Sequence, residues 1–480
     1  MNLRLSLSTT LLAALIASSC ATTPRQPTVE DLKFKPVSSK IPDTRQVTLS
    51  NGMRVHLLPD RELPLVTVTA MIKVGGIWEP ADKIGLAALT GAAMRSGGTR
   101  KLSPDELDEA LEFSAISVET GIGGDMGSAS LSVLTKDLDR GLAYFADVMM
   151  YPRFDQGRFD LAKASMLDGI RRENDDPTSA ADRELGKLIY EGSPYGRVPT
   201  LESVSSITRD DCVSFHARYF APQSVILGVT GDFEEEDMIA RLESVFGGWR
   251  ASAPEYPEVA PVVEKYEGGI YVADKDLPQS AVRMGHLTLT RFDSDYHAVR
   301  VMDSILGGSG FASRMVQKVR AEKGLAYSVW SYSMAGYWEK GQFMAGTETK
   351  ASTTAEAIGL MIGEIETIRE ELVTPEELNQ AKNSIVNSFV FIFDRPSRIL
   401  SQRMTLDYYG LYEGYLETYR DRVMAVTAED VRRAARQRLR PDGLKIVVVG
   451  PVKDFDRPME EFGPVHELVL RDYSAAKGGK

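Results

Sequence analysis

Cysteine and histidine are both scarce in this chain of 480 residues. The two cysteines, Cys20 and Cys212, are too few for a framework of disulfide bonds. The five histidines are His56, His216, His286, His297 and His466. No two of them lie three or four positions apart. The local spacing that places two imidazoles on one face of a helix, ready to bind a metal ion, is therefore missing.

The chain also lacks a stretch dominated by basic residues. Its formal net charge is -12, and charges of both signs are spread throughout the sequence. Nucleic acid is therefore not expected as a partner. The hydrophobic content of 43% is sufficient for about two to four domains with their own cores.

The apolar run near the N-terminus, residues 5–17, is too short to span a bilayer as a helix. Together with Arg4 it is typical of a secretory signal. The run ends in Ala17-Ser18-Ser19-Cys20, which is similar to a bacterial lipobox, whose cysteine is acylated and becomes the new N-terminus. The alternative is ordinary cleavage near Ala17-Ser18-Ser19, with Cys20 incidental.

We therefore predict a lipoprotein signal peptide over residues 1–20, lipidation of Cys20, and a flexible tether over residues 21–40, which are rich in Thr, Pro, Ser and Lys. Because Ala21 is not aspartate, the sorting pattern of Gram-negative cells favours the outer membrane. The expected location is the bacterial cell envelope, with the protein facing the periplasm and contacting the membrane through the lipid on Cys20.

A faint internal repeat divides the rest of the chain. In each half a threonine begins a helix, a proline follows fourteen positions later, and a glycine after an apolar strand follows nine positions further on. The two series are Thr208, Pro222 and Gly231 in the first half and Thr427, Pro441 and Gly450 in the second. The agreement of both spacings indicates two homologous lobes.

Helices and alternating strands follow each other in both halves, which predicts an α+β fold. Residues 66–71 and 128–133 are predicted strands, and residues 353–369 and 374–387 are predicted helices. Ser103 has the pattern of a helix N-cap, with acidic residues in the first turn. The proline-rich residues 251–269 read as a stiff linker. The expected organisation is an N-terminal lobe over 41–250, that linker, a C-terminal lobe over 270–470, and a tail over 471–480.

An ordered set of short motifs in both halves resembles the insulinase/pitrilysin family of zinc metallopeptidases, which includes the mitochondrial processing peptidase. The motifs are Leu49-Ser50-Asn51-Gly52-Met53-Arg54-Val55, Val74-Gly75-Gly76 with Glu79, Gly85-Leu86-Ala87, Gly307-Gly308-Ser309-Gly310, Ser313-Arg314, Glu322-Lys323-Gly324-Leu325-Ala326-Tyr327-Ser328 and Val448-Val449-Gly450. The resemblance implies two lobes, each with a mostly antiparallel sheet flanked by helices, arranged as a clamshell.

Active members of that family carry H-x-x-E-H on the helix after Gly-Leu-Ala, with two zinc ligands and a general base. Here the corresponding positions are Ala88, Gly91 and Ala92, none of which has a donor atom for a metal. Ala88 and Ala92 instead suggest a stripe of small residues for close packing. The third ligand corresponds best to Gly169, with the carboxylates of Asp168 and Glu173 nearby. Since catalytic zinc takes three protein ligands, the resemblance implies a chain that binds no zinc itself.

The second half keeps the other part of the family's machinery. Arg320 and Tyr327 match an arginine and a tyrosine that contact the substrate and its developing oxyanion across the central chamber. A helix that carries Arg320 is predicted over residues 312–323. The glycine cluster before it, Gly307-Gly308-Ser309-Gly310, reads as a flexible turn between two helices, where the family's backbone approaches the peptide. Peptide addition to a sheet edge is expected near residues 115–121. A surface arginine and a half-buried strand tyrosine are the structural alternative for the pair.

Three functions remain open at this point. The first is the non-catalytic, substrate-binding subunit of a heterodimeric zinc peptidase, whose partner is a zinc-bearing homologue and whose substrates are unfolded peptides. The second is a stand-alone peptide-binding or scaffold lipoprotein. The third is an active metallopeptidase with a relocated metal site. Retention of Arg320 and Tyr327 without zinc ligands favours the first.

Overall fold

The computed structural model describes residues 41–471, in which two sheets of six strands are each flanked by helices. The predicted signal peptide, the tether and Cys20 lie outside the described residues. Cys212 is buried. Among residues 41–471, no helix is both long and apolar enough to cross a membrane.

The first lobe contains, in chain order, β1 (Arg45–Thr48), β2 (Arg54–Pro59), β3 (Leu65–Ile72), α1 (Leu86–Ser96), α2 (Pro104–Phe113), β4 (Ser117–Ile122), β5 (Gly127–Leu134), α3 (Leu138–Met150), α4 (Gln156–Arg171), α5 (Pro177–Ile189), α6 (Leu201–Ser206), α7 (Arg209–Tyr219), β6 (Val225–Gly231) and α8 (Glu235–Phe246). The predicted strands over 66–71 and 128–133 are confirmed as β3 and β5. Ser103 caps α2 with a full capping box, as its sequence indicated.

The second lobe contains β7 (Gly269–Asp274), β8 (Gln279–Leu287), α9 (Tyr296–Asp303), β9 (Ala326–Met334), β10 (Gln342–Lys350), α10 (Thr354–Glu370), α11 (Pro375–Phe389), α12 (Pro396–Tyr409), α13 (Tyr415–Met424), α14 (Ala428–Arg438), β11 (Lys445–Gly450) and β12 (Val465–Glu467). The helices predicted over 353–369 and 374–387 are confirmed as α10 and α11. Residues 251–268, between the lobes, form neither helix nor strand.

The two sheets repeat one topology. Their strand orders are β1-β2-β6-β3-β5-β4 and β12-β7-β11-β8-β10-β9, so that five strands correspond in sequence order and position. β2 pairs with β6 and β7 pairs with β11 in parallel, and the next three pairings in each sheet are antiparallel. The sixth strand comes from opposite ends of the described chain. The predicted fold of two homologous lobes with mostly antiparallel sheets is confirmed.

The repeat seen in the sequence reproduces one local structure twice. Thr208 and Thr427 are the N-caps of α7 and α14, and each forms a capping box with an aspartate three positions later. A single 3-10 turn begins at Pro222 or Pro441 and leads into a central strand. The central residues of β6 and β11 are apolar and buried, as expected for strands covered on both faces.

Each lobe covers the sheet of the other lobe with a helix. From the first lobe, α5 packs on β8 and β11 through a cluster that includes Leu185 and Ile189. From the second lobe, α12 packs on β6, β2 and β3 through Leu400 and Met404. At Gly228 on β6, an added Cβ would lie only 2.2 Å from the sulfur of Met404. The lobes of one chain are therefore interlocked through their sheet faces.

Candidate functional site

The helix that corresponds to the zinc helix of active peptidases is α1, and a buried carboxylate holds its start. Gly85 precedes the helix with φ of 105°, a conformation that favours glycine. The backbone N–H of Gly85 donates to Glu79 Oε2 at 3.1 Å, and that of Ala87 donates to Glu79 Oε1. Burial raises the pKa of Glu79, and the two amide hydrogen bonds oppose that rise. Glu79 thus caps the helix and is not available as a metal ligand.

The two positions that carry zinc-binding histidines in active relatives point to solvent. Ala88 and Ala92 are exposed, and the stripe for close packing that they suggested is therefore wrong. They are four residues apart on the outer face of α1, whereas Leu89 and Ala93 face the core. Neither alanine can coordinate a metal ion, but neither is confined by its neighbours.

Gly91, at the position of the general base, makes the close contact of this helix. It is buried against β4, where Thr120 Oγ1 donates to its carbonyl oxygen at 2.7 Å. A Cβ at Gly91 would lie 2.6 Å from the backbone nitrogen of Ile122 and 2.9 Å from Cα of Gly121. A glutamate therefore does not fit here unless β4 moves.

The position of the third ligand is open and carries no side chain. Gly169 is exposed on α4, and nothing lies within 4 Å of a Cβ placed there. The two nearby carboxylates have other partners: Asp168 pairs with Arg172, and Glu173 lies 4.0 Å from Arg183. Both carboxylates are thus engaged in ion pairs, and the match of Gly169 to the third ligand stays a prediction.

The histidines do not form a replacement site. His56 lies under α12, with Nε2 3.0 Å from Asp407 Oδ2 and Nδ1 3.1 Å from Thr44 Oγ1. His216 and His286 are buried in different lobes. Within residues 41–471, no three side chains of His, Cys, Asp or Glu are grouped so that they could hold a metal ion. The residues present do not fit a catalytic zinc ion.

The glycine segment before the Arg/Tyr pair is more ordered than a flexible turn. Gly307 and Gly308 are the last residues of a π-helical stretch, Ser304–Gly308, that continues α9. Gly307 is buried, and a Cβ there would lie 2.3 Å from the backbone nitrogen of Ser331 on β9. The predicted flexible turn is therefore wrong at Gly307 and Gly308, because Gly307 packs closely on β9 within the helical segment; the turn between the two helical segments begins at Ser309.

A buried carboxylate anchors the same segment to β9. Asp303 accepts hydrogen bonds from the backbone N–H of Ser333 at 2.9 Å and from its hydroxyl at 2.8 Å. Burial raises the pKa of Asp303 to about 6, against the opposing charge of Arg300. The glycine segment is consequently fixed at both of its ends to the strand that carries Tyr327.

Arg320 and Tyr327 lie together on the surface of the second lobe. Arg320 lies on a π-helical segment, Val316–Glu322. A short α-helical start at residues 314–315 precedes it, so the helix begins at residue 314 and not at the predicted residue 312. Gly324, with φ of 66°, turns the chain into β9, whose second residue is Tyr327. The guanidinium carbon of Arg320 lies 4.4 Å from the centroid of the Tyr327 ring. Tyr327 is 83% exposed, which differs from a half-buried strand residue.

A third member of this group was missed from the sequence. The ring of Phe311 also has its centroid 4.4 Å from the Arg320 guanidinium carbon. Phe311 is 60% exposed and follows Gly310 directly. The sequence signal was an aromatic residue next to a glycine cluster, although nothing in its spacing links it to Arg320.

The expected peptide-binding edge corresponds to a real sheet edge. β4 is the outermost strand of the first sheet, and β9, which carries Tyr327, is the outermost strand of the second. Edge strands have unpaired backbone groups that an extended peptide can use. α1 lies directly against β4, so the degenerate helix and this edge are neighbours.

Comparison with known proteins identifies the family. Residues 54–198 match the family model for the insulinase family, peptidase family M16, and residues 206–385 match the model described as the peptidase M16 inactive domain. The chain belongs to the insulinase family. The second match includes the glycine segment, Arg320 and Tyr327.

Two relatives illustrate the range of this family. The chain is 24% identical to an uncharacterized zinc protease of Streptomyces coelicolor, with 85% of this chain and 90% of the relative covered. It is 25% identical to the non-peptidase homolog YmxG of Helicobacter pylori, with 77% of this chain and 85% of the relative covered. The chain is thus similar, at nearly equal identity, to a relative named a zinc protease and to one named a non-peptidase homolog.

Solved structures share the fold across both lobes. A peptidase M16 inactive domain from Pseudomonas fluorescens has a TM-score of 0.78 and 25% identity. The alignment covers 85% of this chain and 98% of that structure. A protease from Helicobacter pylori has the same TM-score at 19% identity, with coverage of 86% and 100%. The chain is therefore an insulinase-family protein with a peptidase-like fold and without the side chains of the family's zinc site.

Proposed function

We propose that this chain is the non-catalytic, substrate-binding subunit of a heterodimeric zinc metallopeptidase of the insulinase family. Its partner would be a homologue that carries H-x-x-E-H, and its substrates unfolded peptides of the cell envelope. One observation carries the proposal. Arg320 and Tyr327 are grouped and accessible, whereas Ala88, Gly91, Ala92 and Gly169 offer no atom to a metal.

The roles of the pair follow from their chemistry. The Tyr327 hydroxyl would donate a hydrogen bond to the carbonyl oxygen of the scissile peptide as negative charge develops there. The planar fork of Arg320 would hold backbone or carboxyl oxygens of the peptide. Both groups would act beside a zinc site on another chain, because within residues 41–471 no group of side chains could hold the ion.

The packing of the two lobes supports the need for a second chain. α5 and α12 each cover the sheet of the opposite lobe, and the Asp182–Arg283 ion pair of 2.7 Å joins the lobes near α5. Opening a cleft between these lobes would expose both apolar clusters to water. A chamber that opens to admit a peptide would therefore lie between two chains.

The proposed location is the periplasmic side of the cell envelope, with a lipid on Cys20. It rests on the N-terminal sequence alone. The mass of the N-terminal peptide from membrane-extracted protein tests it, since acylation adds the mass of the attached acyl groups. An unmodified N-terminus beyond residue 20 would contradict lipidation and leave the subunit proposal to be judged separately.

The subunit proposal is tested by co-expression with a zinc-bearing insulinase-family homologue from the same genome, followed by size-exclusion chromatography and cleavage of a quenched fluorescent peptide. We expect a stable complex, cleavage only when both chains are present, and a fall in kcat of about 100-fold on Tyr327→Phe. Tyr332→Phe is the matched control, because Tyr332 is a partly exposed tyrosine on the same strand.

Three outcomes would count against the proposal. Cleavage by the homologue alone at the full rate would make this chain dispensable. Binding of peptides by this chain alone, unaffected by Arg320→Ala, would favour a stand-alone peptide-binding lipoprotein. Chelator-sensitive cleavage by this chain alone would favour a relocated metal site.

A further inference from the structure

Phe311 is a large apolar residue that does not contribute to the core of the second lobe. It is 60% exposed, and it lies in a single 3-10 turn, Gly310–Ala312, between the glycine segment and the helical segment of Arg320. Exposure of a phenylalanine ring to water is unfavourable by itself. The contact that its ring makes with Arg320 gives it a role.

The backbone fixes where this ring lies. Gly310 has φ of 55°, which reverses the chain just before Phe311. The hydroxyl of Ser313 donates to the Gly310 carbonyl oxygen at 2.7 Å, and the side-chain amide of Gln317 donates to the carbonyl oxygen of Phe311. The turn around Phe311 is therefore held by two side chains that follow it in the chain.

Arg320 is flanked by two aromatic rings. Its guanidinium carbon lies 4.4 Å from the ring centroids of both Phe311 and Tyr327. Within residues 41–471 the guanidinium makes no ion pair, so its charge is matched by ring faces and solvent. Two ring faces restrict a flexible side chain and leave the N–H groups at the edge of the fork free to donate.

We propose that Phe311 is a positioning residue, which holds the Arg320 guanidinium beside Tyr327 so that its free N–H edge is oriented toward the bound peptide. This inference rests on the proposed function for the role of Arg320. The proposal adds a link between the glycine segment and the Arg/Tyr pair, because the turn that begins at Gly310 sets the position of the ring. Preorganised side chains lose less freedom when the ligand binds.

The first test uses the purified chain alone and measures how fast phenylglyoxal modifies Arg320, read by mass spectrometry of its peptide. Phe311→Ala removes one ring face, and the rate should rise about 2-fold to 5-fold, the loss of one exposed cation–π contact. Phe311→Leu keeps an apolar side chain without a ring face and should behave like Phe311→Ala. Phe311→Tyr should restore the original rate.

Phe113→Ala is the matched control, because Phe113 is 87% exposed on α2 in the other lobe. Its substitution should leave the rate at Arg320 unchanged. An unchanged rate in Phe311→Ala, or a leucine variant that reacts as slowly as the wild type, would overturn the proposal.

The second test uses the complex with the zinc-bearing homologue. Phe311→Ala should raise KM for a fluorogenic peptide about 2-fold to 5-fold with little change in kcat, and Phe311→Tyr should restore KM. An unchanged KM would overturn the role in peptide binding. If no complex forms, the proposed function fails, and the modification rates still decide whether Phe311 positions Arg320.

Discussion

Asp182 and Arg283 form an ion pair of 2.7 Å across the two lobes, from α5 to the central strand β8. The Arg283 side chain is only 3% exposed, and Glu348 on β10 holds its other side at 2.7 Å. Trp330 stacks over the same guanidinium at 5.2 Å. This buried arginine, with two carboxylate partners, joins the two lobes at their interface.

Removal of one partner should therefore destabilise the protein. Asp182→Ala leaves a buried guanidinium with part of its hydrogen bonding lost, and the free energy of unfolding should fall by about 1–3 kcal/mol. Asp139→Ala breaks an exposed ion pair with Arg241 and should change the free energy of unfolding by less than about 1 kcal/mol. Denaturant unfolding of both variants checks this, and equal losses would contradict the assignment.

Substitutions that restore the zinc-site residues of active family members on α1 should lower the free energy of unfolding by different amounts. Gly91→Glu forces a side chain against the backbone of β4 and should lower the free energy of unfolding by about 1–3 kcal/mol or more. Ala88→His and Ala92→His place side chains on an exposed helix face and should each change it by less than about 1 kcal/mol. Thermal unfolding distinguishes them. A Gly91→Glu variant as stable as the wild type would show that β4 yields easily.

The pH dependence of stability should contain a contribution from His216. Burial lowers its pKa to about 4, whereas an unfolded histidine titrates near 6.5. Between these values the unfolded chain binds the proton and the folded chain does not, so this contribution to stability is present above pH 6.5 and is lost as the pH falls toward 4. Its loss is about 1.4 kcal/mol per pH unit.

His216→Gln isolates this contribution, since glutamine can still donate to the Met149 carbonyl oxygen that His216 Nε2 contacts at 2.9 Å. The variant is expected to be less stable at pH 7, and the difference from the wild type should shrink as the pH is lowered to 4.5. Buried carboxyls such as Asp303 titrate in the opposite sense in both proteins, so the comparison cancels them. A difference independent of pH would refute the assignment.

Local patterns carried much of the fold. Short segments encode the capping boxes at Thr208 and Thr427 and the apolar strands that follow them. The repeat could therefore be recognised in the sequence, and it predicted α7, α14, β6 and β11. The packing of α5 and α12 on the sheet of the opposite lobe could not be predicted from the sequence. Nothing local distinguishes a helix that covers its own sheet from one that covers the sheet of the other lobe.

The glycines show the same division within the site. The sequence suggested a flexible turn at Gly307 and Gly308, but the structure has a buried helical end at Gly307 that needs a small residue beside Ser331. Composition does not separate a glycine used for freedom from a glycine used for close approach. The two uses differ only in which backbone lies opposite.

The sequence alone shows that the four positions matched to the zinc site of active family members carry no side chain that could bind a metal ion. Donor atoms are a property of residue identity, so the lack of donors at Ala88, Gly91, Ala92 and Gly169 is read without coordinates. The folded structure was needed to show that β4 packs against Gly91, that the lobes interlock, and that Arg320 lies between Phe311 and Tyr327. Those contacts form between segments that are distant in the sequence. They depend on the path of the folded backbone, which the identity of single residues does not specify.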